Sequence, residues 1–390
     1  MHDSTVFYTI FLIFAGAAVF STLVLYTKQS LLVAYILLGA VFGPWGLKLV
    51  SNVTTVQQIG DIGIVFLLFL LGLHLQPQNL VHMLGKVTLI AVISSILFAV
   101  IAYFVGRWFG LSVTASWILG ASMMFSSTII GLKLLPTTIL HHQHTGEVMI
   151  SVLLMQDVIA IIVLILINSV QEGMGFSWGN LLLVVFALPS VTLLAFGVER
   201  YILVPLLARF DRTQEYVFLL AIAWCLTLSF ISETLGLSAD VGAFLAGVVL
   251  ASSPISLYIA ESFKPLRDFF LVMFFFSIGA SFNFGYLAQV IIPAFILAFL
   301  MLVIKPFLFR LLLLRSGEKS SVAKEVGLRL GQASEFSLLV ATLASRTKLL
   351  SEVGSNLIQA TTILTFIVSS YLVVLKYPTP IALTENMRKD

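Results

Sequence analysis

Apolar residues along this chain run in blocks near 20 residues long, punctuated by short clusters of charge, glycine and proline. A block of that length crosses a ~30 Å hydrocarbon core as a helix, and in lipid the backbone must satisfy its own hydrogen bonds. The blocks predict thirteen spans, beginning near Thr5, Ser30, Ile59, Val87, Thr114, Glu147, Leu181, Glu215, Ala239, Leu266, Ala288, Val322 and Ser355. Two of them, Ser30–Phe42 and Ala239–Ser252, are short for a span and suit a tilted or partly interfacial helix.

Composition agrees. Hydrophobic residues make up 59% of the chain and charged residues 10%, with a mean hydropathy of +1.09. A water-facing globule carries about 25% charged residues, so a soluble fold is excluded and the bilayer is the first partner. With thirteen spans, one loop set holds fifteen basic residues and the other only Lys48, Arg107, Arg346 and Lys348. Basic residues gather on the cytoplasmic side. The expectation is a multi-pass protein of the plasma membrane, such as the bacterial inner membrane, with the N-terminus outside and the C-terminus cytoplasmic. The first block follows His2-Asp3 without a basic n-region, so it reads as a retained helix rather than a signal peptide. The single cysteine, Cys225, excludes an internal disulfide and reads as a small buried hydrophobe.

The two halves share a register. Asp61 and Gly72 recur as Asp268 and Gly279, Gly120 as Gly327 and Ser127 as Ser334, all at an offset of 207, and Gly39 recurs as Gly247 at 208. A constant offset over this length marks an internal repeat. It spans seven helices, an odd number, so the second copy enters the membrane inverted. Inverted repeats supply outward- and inward-facing states in secondary transporters. The predicted organisation is one transmembrane domain over residues 1–390. Helices one to six (about 5–168) form the first repeat, the seventh (about 181–199) a linker, and helices eight to thirteen (about 215–375) the second repeat.

Ionisable side chains inside spans cost ~2.5–3.5 kcal/mol on insertion scales and default to function. Asp157 is the deepest acid, about mid-span in Leu153-Leu-Met-Gln-Asp. A carboxylate binds either a bare alkali cation or a proton, so one residue can make the two exclusive, the minimal chemistry of antiport. The carbonyl oxygen of Gln156 suits a hard cation. Phe125-Ser-Ser-Thr-Ile-Ile-Gly and Gly331-Gln-Ala-Ser-Glu-Phe are polar interruptions at corresponding repeat positions. Paired interruptions predict two discontinuous helices crossing near the midplane, supported by Ser126, Ser127, Thr128, Gln332, Ser334 and Glu335. Glu335 would neutralise a half-helix N-terminus. Tight helix packing through small residues is the competing reading. Lys305 could pair with an acid such as Asp157, anchor the structure, or snorkel toward the cytoplasm.

Other candidates carry less. His141-His142-Gln143-His144 reads as a solvated cytoplasmic loop rather than a zinc site, and Asp61 and Asp268 as residues at helix ends. No nucleotide fingerprint or hydrolase motif is present, so neither enzyme chemistry, a cofactor nor nucleic-acid binding is expected.

Gly43-Pro-Trp-Gly-Leu, Asp61-Ile-Gly-Ile-Val-Phe, Ser126-Ser-Thr, Leu153-Leu-Met-Gln-Asp, Gly242-Ala-Phe-Leu-Ala-Gly and Gly331-Gln-Ala-Ser-Glu-Phe resemble, in order, the monovalent cation:proton antiporter-2 family, in its Kef-type potassium efflux branch. The resemblance implies an all-α membrane fold of thirteen helices with crossed broken helices, a mobile core (about 87–168 and 288–375) and a dimerisation domain giving a homodimer. It places the ion at Asp157 with Gln156 as partner, and Lys305 on the family's membrane lysine. The implied activity is K⁺/H⁺ exchange, with Na⁺/H⁺ exchange or a ligand-gated K⁺ channel as alternatives. Gln-Asp, where electrogenic relatives have Asp-Asp, implies one-for-one exchange. Kef-type proteins carry a cytoplasmic nucleotide-binding domain through which glutathione gates them. This sequence shows no such domain, and the Glu261–Asp268 loop resembles its docking place.

Overall fold

A computed structural model of the protein describes residues 6–27, 29–50, 53–74, 86–133, 144–169, 178–210, 213–235, 237, 239–253 and 255–378. Every regular element among them is helical. In order they are α1 (Val6–Tyr26), α2 (Leu31–Phe42), α3 (Val53–His74), α4 (Lys86–Trp108), α5 (Val113–Met123), α6 (Thr128–Lys133), α7 (His144–Ser169) and α8 (Trp178–Val198). A π-helical turn (Glu199–Leu203) leads into α9 (Val204–Phe210), then α10 (Gln214–Thr234), α11 (Ala239–Leu250) and α12 (Ser256–Ser281). A 3₁₀ turn (Phe284–Tyr286) precedes α13 (Leu287–Arg315), α14 (Ser320–Arg329), α15 (Glu335–Arg346) and α16 (Glu352–Lys376).

Among the described residues eight helices are long and apolar enough to cross a membrane, and Leu31–Phe42, Val113–Met123 and Ala239–Leu250 are shorter apolar helices. The two short blocks expected from sequence are α2 and α11, each 12 residues. Starts are sharpened by caps. Ser112 Oγ accepts from the Ala115 amide at 3.1 Å and Ser351 Oγ from the Gly354 amide at 3.3 Å, pairing orphan first-turn donors.

Two expectations need correction. Asp61 and Asp268 lie inside α3 and α12, not at helix ends, and Glu261–Asp268 is helix rather than loop. Charge does not end α12 because the charges pair on its exposed side. Lys264 meets Glu261 at 2.6 Å and Arg267 meets Asp268 at 2.9 Å. Pro265 sits within this helix.

The chain divides into two compact units. One comprises residues 52–82 and 165–277. Its core gathers Phe66, Phe69, Trp224 and Phe263, and the Trp224 indole donates to the Ala246 carbonyl at 3.0 Å. Here α3 and α11 pack backbone to backbone. A Cβ on Gly72 would overlap the Phe244 carbonyl, and one on Gly247 the Phe69 carbonyl. Only glycine permits that approach.

The other unit comprises residues 1–51, 83–164 and 278–390. It repeats the same contact with the halves exchanged: Gly279, equivalent to Gly72, lies against the Ile36 carbonyl, and Ile36 is 208 residues before Phe244. A second pair is closer still in kind. A Cβ on Gly120 would fall 2.7 Å from the Ala99 carbonyl, and one on Gly327 would fall 2.7 Å from the Pro306 carbonyl. Ala99 and Pro306 are themselves 207 apart. The inverted repeat read from glycines is therefore a repeat of packing.

Candidate functional site

Two helices break in this second unit. The first stops at Met123 and restarts at Thr128; the other stops at Arg329 and restarts at Glu335. The breaks lie side by side. Ser126 Oγ donates to the Leu330 carbonyl at 2.8 Å, Gln332 Nε2 to the Ser127 carbonyl at 3.4 Å, and Ser337 Oγ to the Ser122 carbonyl. Ser334 caps α15 in a reciprocal box with Ser337. Serine and glycine do allow tight packing here, but the interrupted backbone shows that these segments are broken helices.

Against the first break stands α7. Gln156, fully buried, spans the gap: its Oε1 accepts from the Ser126 amide at 3.0 Å and its Nε2 donates to the Met124 carbonyl at 3.3 Å. Asp157 is 1% exposed and accepts from Thr128 Oγ1 at 3.3 and 3.4 Å. Glu335, 4% exposed, opens α15 at the second break.

Lys305 goes elsewhere. It is fully buried on α13, so it does not snorkel, and no ion pair joins it to Asp157 among the described residues. Its ammonium donates to the Phe125 carbonyl and, at 3.1 Å, to the Gln332 carbonyl. Those carbonyls follow the C-terminal ends of α5 and α14, the negative ends of the half-helices. Phe125 and Gln332 are 207 apart, as are Phe98 and Lys305, and the ammonium sits over the Phe98 ring at 5.1 Å. Lysine therefore occupies a position where the repeat's two copies meet, and it clasps equivalent carbonyls of both. A main-chain acceptor leaves no trace in sequence, which is why an ion pair, an anchor and snorkelling all stayed open there.

Residues outside the sequence-based set complete the second break. The Ala333 amide donates to Thr365 Oγ1 at 3.0 Å, and Ser369 Oγ donates to Gln332 Oε1 at 3.0 Å. Ala333 is the repeat equivalent of Ser126, so both breaks have the corresponding amide met by a side chain from another helix. His141 to Gln143 lie outside the described residues. His144 opens α7 with Glu147 at 3.3 Å and Glu318 at 2.8 Å on opposite ring nitrogens, and no metal-binding group of three such side chains occurs among the described residues.

An α-helical membrane unit with paired breaks, a buried carboxylate and a buried lysine has relatives. Residues 10–375 match the family described as "Sodium/hydrogen exchanger, transmembrane". The chain belongs to that family. It is 29% identical over 371 residues to K(+) efflux antiporter 5 of Arabidopsis thaliana, covering 92% of this chain and 63% of that protein. It is 31% identical to the glutathione-regulated potassium-efflux system protein KefC of Klebsiella pneumoniae, covering 78% of this chain and 50% of that one. It is 29% identical to a protein named iron transporter MagA from Paramagnetospirillum magneticum, covering 88% and 79%. The Kef-type resemblance is borne out by these relatives. Against KefC and the plant antiporter, the chain spans about half to two thirds of the relative's length. Among solved structures, the sodium proton antiporter MjNhaP1 of Methanocaldococcus jannaschii shares the fold, with a TM-score of 0.72 over 93% of this chain and 94% of that one at 15% identity.

Proposed function

We propose that this exchanger-family chain swaps a monovalent cation, K⁺ in the first instance, for protons at Asp157 by alternating access. The observation that carries the reading is a buried carboxylate with a hydroxyl partner, Thr128, and no basic side chain in ion-pair contact among the described residues. Such a group must take a counter-charge from a ligand, and a cation and a proton compete for it. Hydroxyl, amide and carboxylate oxygens near a helix break suit a hard alkali ion better than a soft metal. The ions are transported substrates rather than cofactors, and no covalent chemistry is needed.

In this reading Gln156 holds the first break open, Ser126, Ser127 and Thr128 shape it, and Gln332, Ser334 and Glu335 shape its counterpart. Lys305 is a clasp on both. The segments 87–168 and 288–375 form the ion-carrying bundle, the protein works as a homodimer, and its C-terminus faces the cytoplasm. Exchange is one for one, with Asp157 carrying either ion. Relatives named for potassium efflux favour K⁺; Na⁺ is the second reading, since a sodium proton antiporter shares the fold. A ligand-gated K⁺ channel would conduct without moving protons.

Purified protein in liposomes loaded with a pH dye tests this. K⁺, Na⁺, Li⁺ and choline are added in turn; K⁺-driven proton movement is expected, without a membrane voltage of its own. Cation flux uncoupled from protons supports the channel instead, and self-generated voltage excludes one-for-one exchange.

A further inference from the structure

We infer that the buried turns of α16 hold ordered waters that bring solvent to the break between α14 and α15. The observation is a set of polar atoms that the protein itself leaves unpartnered. Gln359 Oε1 and the hydroxyls of Thr361, Thr362 and Ser370 have no hydrogen-bond partner, and none of these residues is more than 6% exposed. Gln29 adds a fifth oxygen: its Nε2 is held on the Ile367 carbonyl at 3.3 Å, and its Oε1 is unpartnered.

Helical hydroxyls need not be left this way. Buried Ser94, Ser122, Ser229 and Ser277 each donate back to a carbonyl three or four residues earlier. On α16 Thr365 follows that default, donating to the Thr362 carbonyl at 2.8 Å, but Thr361, Thr362 and Ser370 do not, which leaves their hydroxyls for another acceptor or donor. Buried polar atoms go unpaired at only a few per hundred residues. Ser95, Ser116 and Ser232 are single cases on three other helices, whereas α16 gathers four such atoms, which together would erode the narrow stability margin of a fold. Water makes two to four bonds in such polar interiors and removes the penalty. An alkali cation is a poorer fit, because no acid lies on this face of α16 after Glu352.

The positions also form a route. Ser351 and Glu352 at the start of α16 are exposed. Ser355 and Gln359 bond each other at 3.3 Å, Thr365 receives the Ala333 amide, and Ser369 reaches Gln332. From Asn356 to Ser369 is ~20 Å at 1.5 Å per residue. That is a large part of a ~30 Å hydrocarbon core. Hydration along it would let the half-helices α14 and α15 shift without baring polar groups to a dry interior. The inference does not rest on Asp157 being the exchange site.

The full chain in lipid nanodiscs, exposed to radiolytic hydroxyl radicals for milliseconds and read by mass spectrometry, tests it. Label is expected on Phe366, buried on α16, and not on Phe275 and Phe276, equally buried in α12. Absence of label from the interior of 352–376 overturns the inference. The double variant Thr361→Val, Thr362→Val gives an independent sign. Removing hydroxyls that bind water lowers the apparent Tm by a few degrees. Removing hydroxyls from a dry seam leaves it unchanged or raises it, and either of those results also overturns the inference.

Discussion

The two breaks share a scaffold and differ in what they present. At the first, the Ser126 amide is met by the Gln156 side chain, and the next residue of α7 is Asp157. At the second, the equivalent Ala333 amide is met by the Thr365 hydroxyl, and the next residue of α16 is Phe366. Duplication supplied two equivalent gaps in backbone hydrogen bonding, and each was closed by a side chain from a neighbouring helix. Only at the first is that side chain followed directly by a carboxylate; at the second, an acid stands on the broken helix itself, with Glu335 where Thr128 stands. On the proposed reading, the asymmetry separates a binding site from a support. It also explains the single lysine: equivalent carbonyls from both copies converge, so one ammonium serves both and its counterpart position can be Phe98.

The largest effect that would break this comparison is expected at the shared clasp. Lys305→Met removes two charge-assisted hydrogen bonds, about 1.5–3 kcal/mol each, and leaves two buried carbonyls bare. The apparent Tm in detergent should fall more than in any other variant here. A Tm near wild type would mean that the carbonyls are satisfied without the lysine.

Next comes Gln156→Leu, which orphans both the Ser126 amide and the Met124 carbonyl, at about 1–3 kcal/mol apiece. It should lower both Tm and exchange rate. Thr365→Val orphans a single amide, costing about 1–3 kcal/mol, and should lower Tm by roughly half as much while K⁺-driven exchange persists. Equal loss of exchange in the two variants would erase the distinction between site and support. Thr128→Val is expected to be smallest: it removes one long hydrogen bond to Asp157, about 1 kcal/mol, and should raise the half-maximal K⁺ concentration severalfold with little change in Tm.

Much of the fold was legible because lipid leaves few choices. Long apolar blocks must be helices, so most span starts fell within a few residues, and the small polar clusters at 125–131 and 331–336 read as breaks, with tight helix packing as the competing reading. The exceptions share a cause. Asp61, Asp268 and Pro265 look like punctuation, yet ion pairs such as Lys264–Glu261 let α12 begin ten residues before the expected Leu266. Charge ends a span in lipid; it does not end a helix that continues past the lipid. At the site, Asp157 and Gln156 were legible as costly residues in an apolar run. The target of Lys305 was not, because carbonyls belong to every residue and only the fold brings Phe125 and Gln332 to one point. Thr365 and Ser369 were hidden for a similar reason: hydroxyls in an apolar helix usually bond their own backbone.

The most direct test of the central claim is exchange by Asp157→Asn in the same liposomes. Asparagine keeps the size and can still accept from Thr128 but carries no charge for a cation or proton to neutralise. The account predicts that K⁺-driven proton movement disappears while the apparent Tm stays within a few degrees of wild type. Undiminished exchange in Asp157→Asn would contradict it.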